Sequence, residues 1–478
     1  MGSAHDEATL ALLEAQADEL IDQMLGAEQQ TLELEGLEDP AAARSRPGRV
    51  EAVGSRPRLL WETLCGVYEQ IFGGAIDSDV FKKLVLARII EPTSKSDAVR
   101  VLANAGVAKV PSVRTIWRHL AEHQPKQWRE AACQAAYRFV AGDGAVSVVL
   151  YDVTTLYFET DEEDQTRKVG FSKERRVDPQ VVVGLLVDKS GFPLDVHCFE
   201  GNKAETHTLI PVLDAFRQRH AVEEVLVVAD AGMLSYANLT ALEEAGYQYI
   251  VGTRNSKAPY DLAEVFEGGN HFVDGQVFET TTQMKKNVAS STRRAVWQYR
   301  LAREHRDRRS QTKQLERAED IAAGRKSQRR ARFLTGGGPK SLAVDYDAAR
   351  KAEFYFGLKG YVTSASPKVM TGAEVISAYH SLFEVERSFR MAKSDLAARP
   401  MFHHTRESIE AHLTVVFCAL AISRHIQALT GLSIKKVLQT LEPLRDSIIE
   451  LNGIQHQIPA RSTTAADHIL QRLAQTRH

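Results

Sequence analysis

The chain has 478 residues, 44% of them hydrophobic and 26% charged, with a formal net charge of -2. That length exceeds what one core usually supports, so several domains are expected, and the composition is that of a globular chain rather than a disordered or fibrous one. No run approaches the roughly 18 apolar residues of a membrane span, and the start lacks the basic and apolar regions of a signal peptide.

Cys65, Cys133, Cys198 and Cys418 are too scattered for a disulfide framework or for paired zinc ligands, so a cytoplasmic setting is expected. The near-zero charge hides an uneven distribution. The first forty residues hold no Lys or Arg, whereas Arg293 to Arg332 carry 14 Lys or Arg against 5 Asp or Glu. A local excess of this kind leaves a nucleic-acid partner open, because binding follows local basic surface.

In chain order, residues 5–40 read as helical, with Leu10, Leu13, Leu20 and Ile21 forming an apolar stripe. Residues 43–58, rich in Arg, Gly, Pro and Ser, read as a connector. "SDVFKKLVLARIIEP" is a helix stopped by Pro92. "TSKSDAVRVLANAG" is a second, with Ser94 as a candidate cap and Gly106 as terminator, and "PSVRTIWRHLAEH" is a third. Three short helices with tight turns suggest a helix-turn-helix unit, whose third helix presents Arg114, Arg118 and His119 and packs through Ile116 and Leu120. A small helical bundle with solvated arginines fits the same pattern.

From residue 145 the period changes. "AVSVVLYDVTTLYF", "PQVVVGLLVD" and "FPLDVHCFEGN" read as an antiparallel meander with a hairpin turn at "DKSG". A helix at "ETHTLIPVLDAFRQRH", a buried strand at "VEEVLVVAD", a helix at "SYANLTALEEAG" and a strand at "YQYIVGT" follow. Mixed α/β order of this sort places ligands at strand ends. Residues 252–350 interrupt it with short strand-like pieces and a basic helix from Arg303 to Ala323. "KAEFYFGLKGYVTSA" then resumes the strand pattern. A long helix is expected from about Gly372 to Lys393, and "IEAHLTVVFCALAISRHI" reads as a buried core helix.

Asp152 and Asp230 stand where two apolar strands end. A carboxylate at such a place needs a cation, hydrogen bonds or a metal. Magnesium and manganese are hard ions that favour carboxylate oxygens, and a pair of them suits phosphodiester transfer. Caps and turn residues explain lone aspartates equally well. On a continuous helix, Tyr379, Leu382, Arg390 and Lys393 would lie within about 40° of Glu386, so the helix could bring a third carboxylate and two cations to one side. A plain surface helix with a Glu386–Arg390 salt bridge is the other reading.

Taken together, "YDVTTLYFE", "VVADAGMLS" and "AYHSLFEVERSFRMAKSDL" resemble the DDE transposases of bacterial insertion sequences, in the cut-and-paste branch with a Tyr-Arg-Glu-Lys signature. "GFSKERRVDPQVVVGLLVD", "GFPLDVHCFEGNKAETHTL" and "LAARPMFHHTRESIEAHL" extend the likeness, which covers roughly residues 80–425. The signature positions are Tyr379, Leu382, Glu386 and Lys393. Leu382 departs from the family's arginine, and Arg390 or Arg387 is expected to take over its phosphate contact.

The resemblance implies an α/β, RNase H-like catalytic core interrupted by a β-rich insertion, behind an N-terminal mainly helical DNA-binding region. The implied divisions are 1–140 for the helical region with its helix-turn-helix-like segment, 141–251 and 351–425 for the two parts of the core, 252–350 for the insertion with its basic helix, and 426–478 for a C-terminal helical region. It further implies that Asp152, Asp230 and Glu386 are catalytic and hold two Mg2+ or Mn2+ ions. DNA contacts are expected from Tyr379, Arg387, Arg390 and Lys393, from Lys173, Arg175 and Arg176 beside Ser172, and from Arg114 and Arg118. Asn202 is expected to orient a loop near the site, since its amide both donates and accepts.

The implied activity is metal-dependent DNA transposition: binding of terminal inverted repeats by the helical region and the basic insertion, cleavage at the element's ends, and joining of the 3'-hydroxyls to target DNA. The branch commonly passes through a hairpin at the excised end. Its partners are transposon-end and target DNA, with a homodimer on paired ends, in a bacterial cytoplasm and without a membrane. The other readings are a catalytically silent transposase-derived DNA-binding protein and a metal-dependent nuclease that does not join strands.

Overall fold

The computed structural model describes residues 50–475 apart from 123–124, 143, 145, 172–176, 234, 254–271, 287–288, 328–330, 337–341, 404 and 452. The expected helix over residues 5–40 lies outside the described residues, as do Lys173, Arg175 and Arg176. The chain divides into two compact units, residues 1–51 with 450–456, and residues 52–449 with 457–478. The described residues of the first unit are strand ends and the turn between them.

The second unit opens in extended chain through Arg56, so part of the supposed connector is strand. Five helices follow: α1 (Arg58–Phe72), α2 (Asp79–Ile90), α3 (Ala98–Asn104), α4 (Val113–Glu122) and α5 (Pro125–Ala141). Ser78 caps α2 by accepting from the Phe81 N–H, and the helix stops before Pro92 because proline disfavours helix in the residue preceding it. α4 buries Ile116 and Leu120, as its pattern predicts, and leaves Arg114, Trp117 and Arg118 exposed.

The centre of the unit is an eight-stranded mixed sheet: β1 (Val148–Tyr157), β2 (Gln180–Val187), β3 (Pro193–Glu200), β4 (Leu226–Ala229), β5 (Gln248–Gly252), β6 (Val277–Lys286), β7 (Ala289–Tyr299) and β8 (Leu358–Thr363). The order across the sheet is β3-β2-β1-β4-β5-β8-β7-β6. β1, β2 and β3 form the antiparallel meander, while β4 and β5 run parallel to β1. Every residue of β2 and β4 is buried. Such unbroken runs of Val and Leu belong to strands covered on both faces.

Helices α6 (Leu209–His220), α7 (Tyr236–Glu244), α10 (Gly372–His380), α11 (Phe383–Ser394) and α12 (Arg406–Thr430) form the covering layers, while α8 (Leu301–Ala322) packs on the short strand Ala343–Val344 and donates through Gln311 to the Ala349 carbonyl of α9 (Tyr346–Glu353). α12 is long and apolar enough to cross a membrane, yet 72% of its apolar window is buried among α1, α2, α5 and β3. It is a core helix.

Three elements differ from the sequence pattern. The strand-like pieces of the insertion, β6 and β7, extend the central sheet: β7 pairs with β8 across Trp297 and Gly360, and β6 pairs outside β7. The long helix expected from Gly372 to Lys393 is two helices, α10 and α11. Between them the backbone bonds shorten to i→i+3, from Leu382 N–H to the Tyr379 carbonyl at 3.0 Å and from Glu384 N–H to the Ser381 carbonyl at 2.9 Å. Such a turn winds more tightly than α-helix and rotates the two halves against each other. The expected C-terminal helical region, 426–478, holds the end of α12 and two further helices, α13 (Ile434–Leu441) and α14 (Thr464–Ala474), and also the strands Asp446–Leu451 and Ile454–Ile458, so it is not helical throughout. All four cysteines are free.

Candidate active site

β1 and β4 run parallel in register, Leu150 against Val228 and Tyr151 against Ala229. The next step along each strand is Asp152 and Asp230. Parallel neighbours lie about 4.8 Å apart, and residues at matching steps point to the same face. The sheet therefore sets these two carboxylates side by side, although 77 residues, carrying β2, β3 and α6, lie between them in sequence. β1 continues past this point, with Asp152 facing Leu185 of β2, whereas β4 ends at Ala229 and leaves Asp230 exposed at its tip. Each carboxylate accepts from the N–H that follows it, Val153 at 2.8 Å and Ala231 at 2.6 Å.

Tyr379, in the last turn of α10, donates its hydroxyl to Asp230 Oδ1 at 3.3 Å. It reaches that oxygen across Gly252, the last residue of β5. A Cβ on Gly252 would lie 2.8 Å from the Tyr379 ring carbon Cζ, closer than real side chains approach. The ring packs on Tyr361 of β8 at 4.7 Å between centroids. The Lys359 ammonium stands 5.5 Å from the Tyr379 ring and donates to the Thr253 carbonyl at 3.4 Å.

Burial, the Asp230 charge, Tyr361 and Glu386 all oppose ionisation of the Tyr379 phenol, so its pKa is raised and it stays a donor. Burial and the Arg303 guanidinium lower the Lys359 pKa, while Asp230 acts to raise it. Burial pushes the Tyr361 phenol up to about 12.

Glu386 lies on the exposed face of α11 with Arg387 and Arg390, while Val385, Ser388 and Phe389 on the opposite side are buried. α11 packs on β1, β2 and α12. Glu386 is near enough to bear on the Tyr379 hydroxyl. Among the described residues, however, no three His, Cys, Asp or Glu side chains gather as a metal-holding group. The donor chemistry of Asp152 and Asp230, two hard carboxylates side by side with one strand tip open to solvent, fits a divalent ion. In this structure the fit is that of a pair, with the third carboxylate standing off on its own helix.

The other expected contacts distribute unevenly. Tyr379 is tied to Asp230 and packed on Tyr361 rather than held out for a base. The wheel that placed it on one stripe with Glu386 and Lys393 fails because the turn between α10 and α11 interrupts the helix. Leu382, at that turn, is 6% exposed and sits in the core, so its side chain faces inward. Arg387 pairs with Glu384 at 3.7 Å, Arg390 is exposed beside Glu386, and Lys393 is half-buried.

Arg114 and Arg118 stand exposed on α4. Asn202 is exposed in the turn after β3, two strands from β1, and no hydrogen bond described here joins it to either aspartate. Lys359, Tyr361 and Gly252 escaped the sequence reading. "GLKGYVTSA" read only as a returning strand, and nothing in one sequence says that its Lys359 comes within electrostatic reach of Asp230, more than a hundred residues earlier.

A family model described as the transposase DDE domain matches residues 144–422, more than half of the chain. That span contains Asp152, Asp230 and Glu386. No curated protein matches the chain. Among solved structures, a piggyBac transposase synaptic complex with hairpin DNA is 9% identical, covers 81% of this chain and 79% of that one, and has a TM-score of 0.37. A Mos1 transposase paired-end complex with the left transposon end is 11% identical over 35% of this chain and 57% of that one, with a TM-score of 0.17. Likenesses as loose as these two carry no argument. The family match does, and the chain belongs to the DDE-domain transposases.

Proposed function

We propose that the protein cuts at the ends of a DNA element and joins the freed 3'-hydroxyls to target DNA, with Asp152, Asp230 and Glu386 as its catalytic carboxylates. The observation that carries this reading is the in-register placement of Asp152 and Asp230 on neighbouring parallel strands, inside the span of the family match. The order β3-β2-β1-β4-β5, antiparallel then parallel, supports an RNase H-like core.

Asp152 and Asp230 would hold the magnesium or manganese, with Glu386 approaching from α11. Bound there, the metal supplies activation of the attacking oxygen and charge stabilisation of the leaving one. The chain's own residues do the rest. The Tyr379 hydroxyl fixes the rotamer of Asp230. Lys359, whose ammonium is partly withdrawn from water, offers a positive charge beside the strand tips where a scissile phosphate must lie. Water attacks first, releasing a 3'-hydroxyl. That hydroxyl then attacks a target phosphodiester, so one phosphodiester bond forms as another breaks and no external energy source is needed.

Arg114 and Arg118 on α4, Arg387, Arg390 and Lys393 on α11, the Lys173–Arg176 loop and those cations of the basic helix α8 that are not ion-paired are the proposed contacts to terminal inverted repeats. Two copies would act on paired ends. The Tyr-Arg-Glu-Lys branch of bacterial insertion sequences remains the proposed affiliation, with Leu382 as its departure.

The test incubates the protein with labelled duplexes carrying the repeats that flank its coding sequence, a target plasmid and magnesium, beside Asp230→Asn. Joined products that vanish in the variant support the reading. Cleavage without joining replaces it with a nuclease, and binding alone with a silent DNA-binding protein.

A further inference from the structure

The basic excess of the insertion lies largely on one helix, and α8 sorts its charges by face. Gln311, Ala318 and Ile321 are its buried stripe. Arg308, on the far side, is engaged by Glu304 at 2.7 Å. Arg306, Arg309, Lys313 and Arg317 are all exposed and follow one another at offsets of three, four and four. At 100° per residue these four fall within an arc of about 80° and span about 17 Å of helix axis.

Among the described residues no ion pair engages any of the four. Arg309 spends its Nε on the His305 carbonyl at 3.2 Å, which leaves its outer nitrogens facing water. Asp320, the first carboxylate past the end of the row on the same face, is bridged by Arg325 at 2.9 Å and by Lys326 at 2.6 Å. Glu316 flanks the row as its one other acid. Four like charges along one helical face repel each other by a few tenths of a kcal/mol per neighbouring pair. A face that keeps them unpaired while its other side is bridged is complementary to a linear polyanion.

The row also has a direction. Arg303, one turn before Arg306, lines a cavity together with Thr253. Thr253 is the residue whose carbonyl accepts from Lys359, and Lys359 stands over the ring of Tyr379, the tyrosine bonded to Asp230. The start of α8 is therefore linked through these contacts to the carboxylate pair, and the exposed row leads away from it.

We propose that Arg306, Arg309, Lys313 and Arg317 form a rail for the phosphate backbone of duplex DNA whose end lies at Asp152 and Asp230, gripping it without reading bases. This rests on the reading of duplex DNA as substrate. Duplex DNA carries a negative charge about every 1.7 Å of axis, so a 17 Å row matches about half a helical turn of backbone. Side chains of this type contact phosphates from an exposed helix without entering a groove, so the grip is indifferent to sequence.

The experiment measures binding of the full chain to a labelled 30-base-pair duplex of arbitrary sequence across a salt series. Each lost phosphate contact reduces the slope of log affinity against log salt by about 0.9. The R306Q/R309Q/K313Q/R317Q variant is expected to lower that slope by about 3 to 4, equally for a scrambled duplex. A control, R308Q/R325Q, neutralises two cations that are already paired and is expected to leave the slope unchanged. Thermal midpoints of both variants close to that of the unaltered protein show that the fold is kept.

A slope change below one overturns the proposal, as does an equal effect in the control. Poly-glutamate competing as well as DNA at matched charge also overturns it, by showing a general polyanion surface. The readout needs neither the inverted repeats nor catalysis, so a failure to join DNA in the strand-transfer test leaves it intact.

Discussion

The carboxylate pair and the basic face of α8 are built by opposite means. Asp152 and Asp230 are held by a register in which Tyr151, Ala229 and their neighbours are wholly buried. The four cations of α8 are exposed on a helix that buries only a narrow stripe. Chemistry at a phosphorus atom tolerates misplacement of well under an ångström, and a packed sheet with hydrogen bonds on both sides supplies that rigidity. Attraction to a polyanion needs charge and access but little precision. The burial of one region and the exposure of the other therefore match two different demands.

That contrast can be broken by substitution. Asp230→Asn keeps the shape of the strand tip and removes its charge. Several kcal/mol of transition-state stabilisation are at stake, so strand joining is expected to fall by about 10^3-fold or more while duplex binding changes little. Joining at the unaltered rate would remove Asp230 from the chemistry.

The same sheet contains a buried ion cluster that sharpens the point. Asp195 on β3 is fully buried, pairs with Arg219, and lies 3.3 Å from His197. Burial acts to raise its pKa, but His197 and Arg219 outweigh it and hold the carboxyl well below the usual range. A depressed folded value stabilises the fold above the ordinary carboxylate pKa near 4, and that contribution is lost as pH falls toward the folded value. Asp195→Ala strands Arg219 and is expected to cost about 3–5 kcal/mol in a denaturant titration at neutral pH. Its stability should also lose part of the fall seen between about pH 4 and pH 2; an unaltered acid limb would refute the assignment.

Leu382→Arg would restore the residue that the family resemblance expects at this position. Because Leu382 is buried at the turn between α10 and α11, the change is expected to destabilise by about 2–4 kcal/mol, and chemical denaturation measures it directly. A variant of unchanged stability with tighter DNA binding would show that this turn opens to solvent.

Tyr379→Phe removes the hydroxyl from Asp230 and nothing else. One hydrogen bond to a charged group is worth about 1.5–3 kcal/mol, so joining should slow by roughly 10- to 100-fold without loss of fold. At the small end, Arg306→Gln or Arg317→Gln is expected to change folding stability by less than about 0.5 kcal/mol, since neither residue is buried or ion-paired among the described residues. A larger loss would mean that the exposed row supports the fold.

How much of this was legible in advance differs along the chain. The strands carrying Asp152 and Asp230 announced themselves through their Val and Leu runs. Ser94, read as a cap, accepts from the Asp97 N–H one turn before α3 begins at Ala98, whereas Ser78 and Ser235, which the pattern reading did not single out, cap their helices by accepting from the N–H three residues on. The split between α10 and α11 was invisible. No proline or glycine marks it, and the i→i+3 turn coincides with Leu382 packing into the core. The hairpin of β6 and β7 looked like a separate insertion because sequence shows where a strand is, not which edge it joins.

By itself the sequence determined the elements whose cause is local: hydrophobic periodicity, caps, turns, and the presence of three acidic residues in family-like contexts. It also determined that the basic excess falls on one helix. Only the tertiary structure decided that Asp152 and Asp230 stand on adjacent strands, that Tyr379 bonds Asp230 with Lys359 over its ring, that Glu386 stands off on a helix of its own, and that Leu382 points inward. The physical reason is that these are relations between distant segments, set by strand register and by the competition for buried volume, and neither acts over the few residues that a sequence pattern spans.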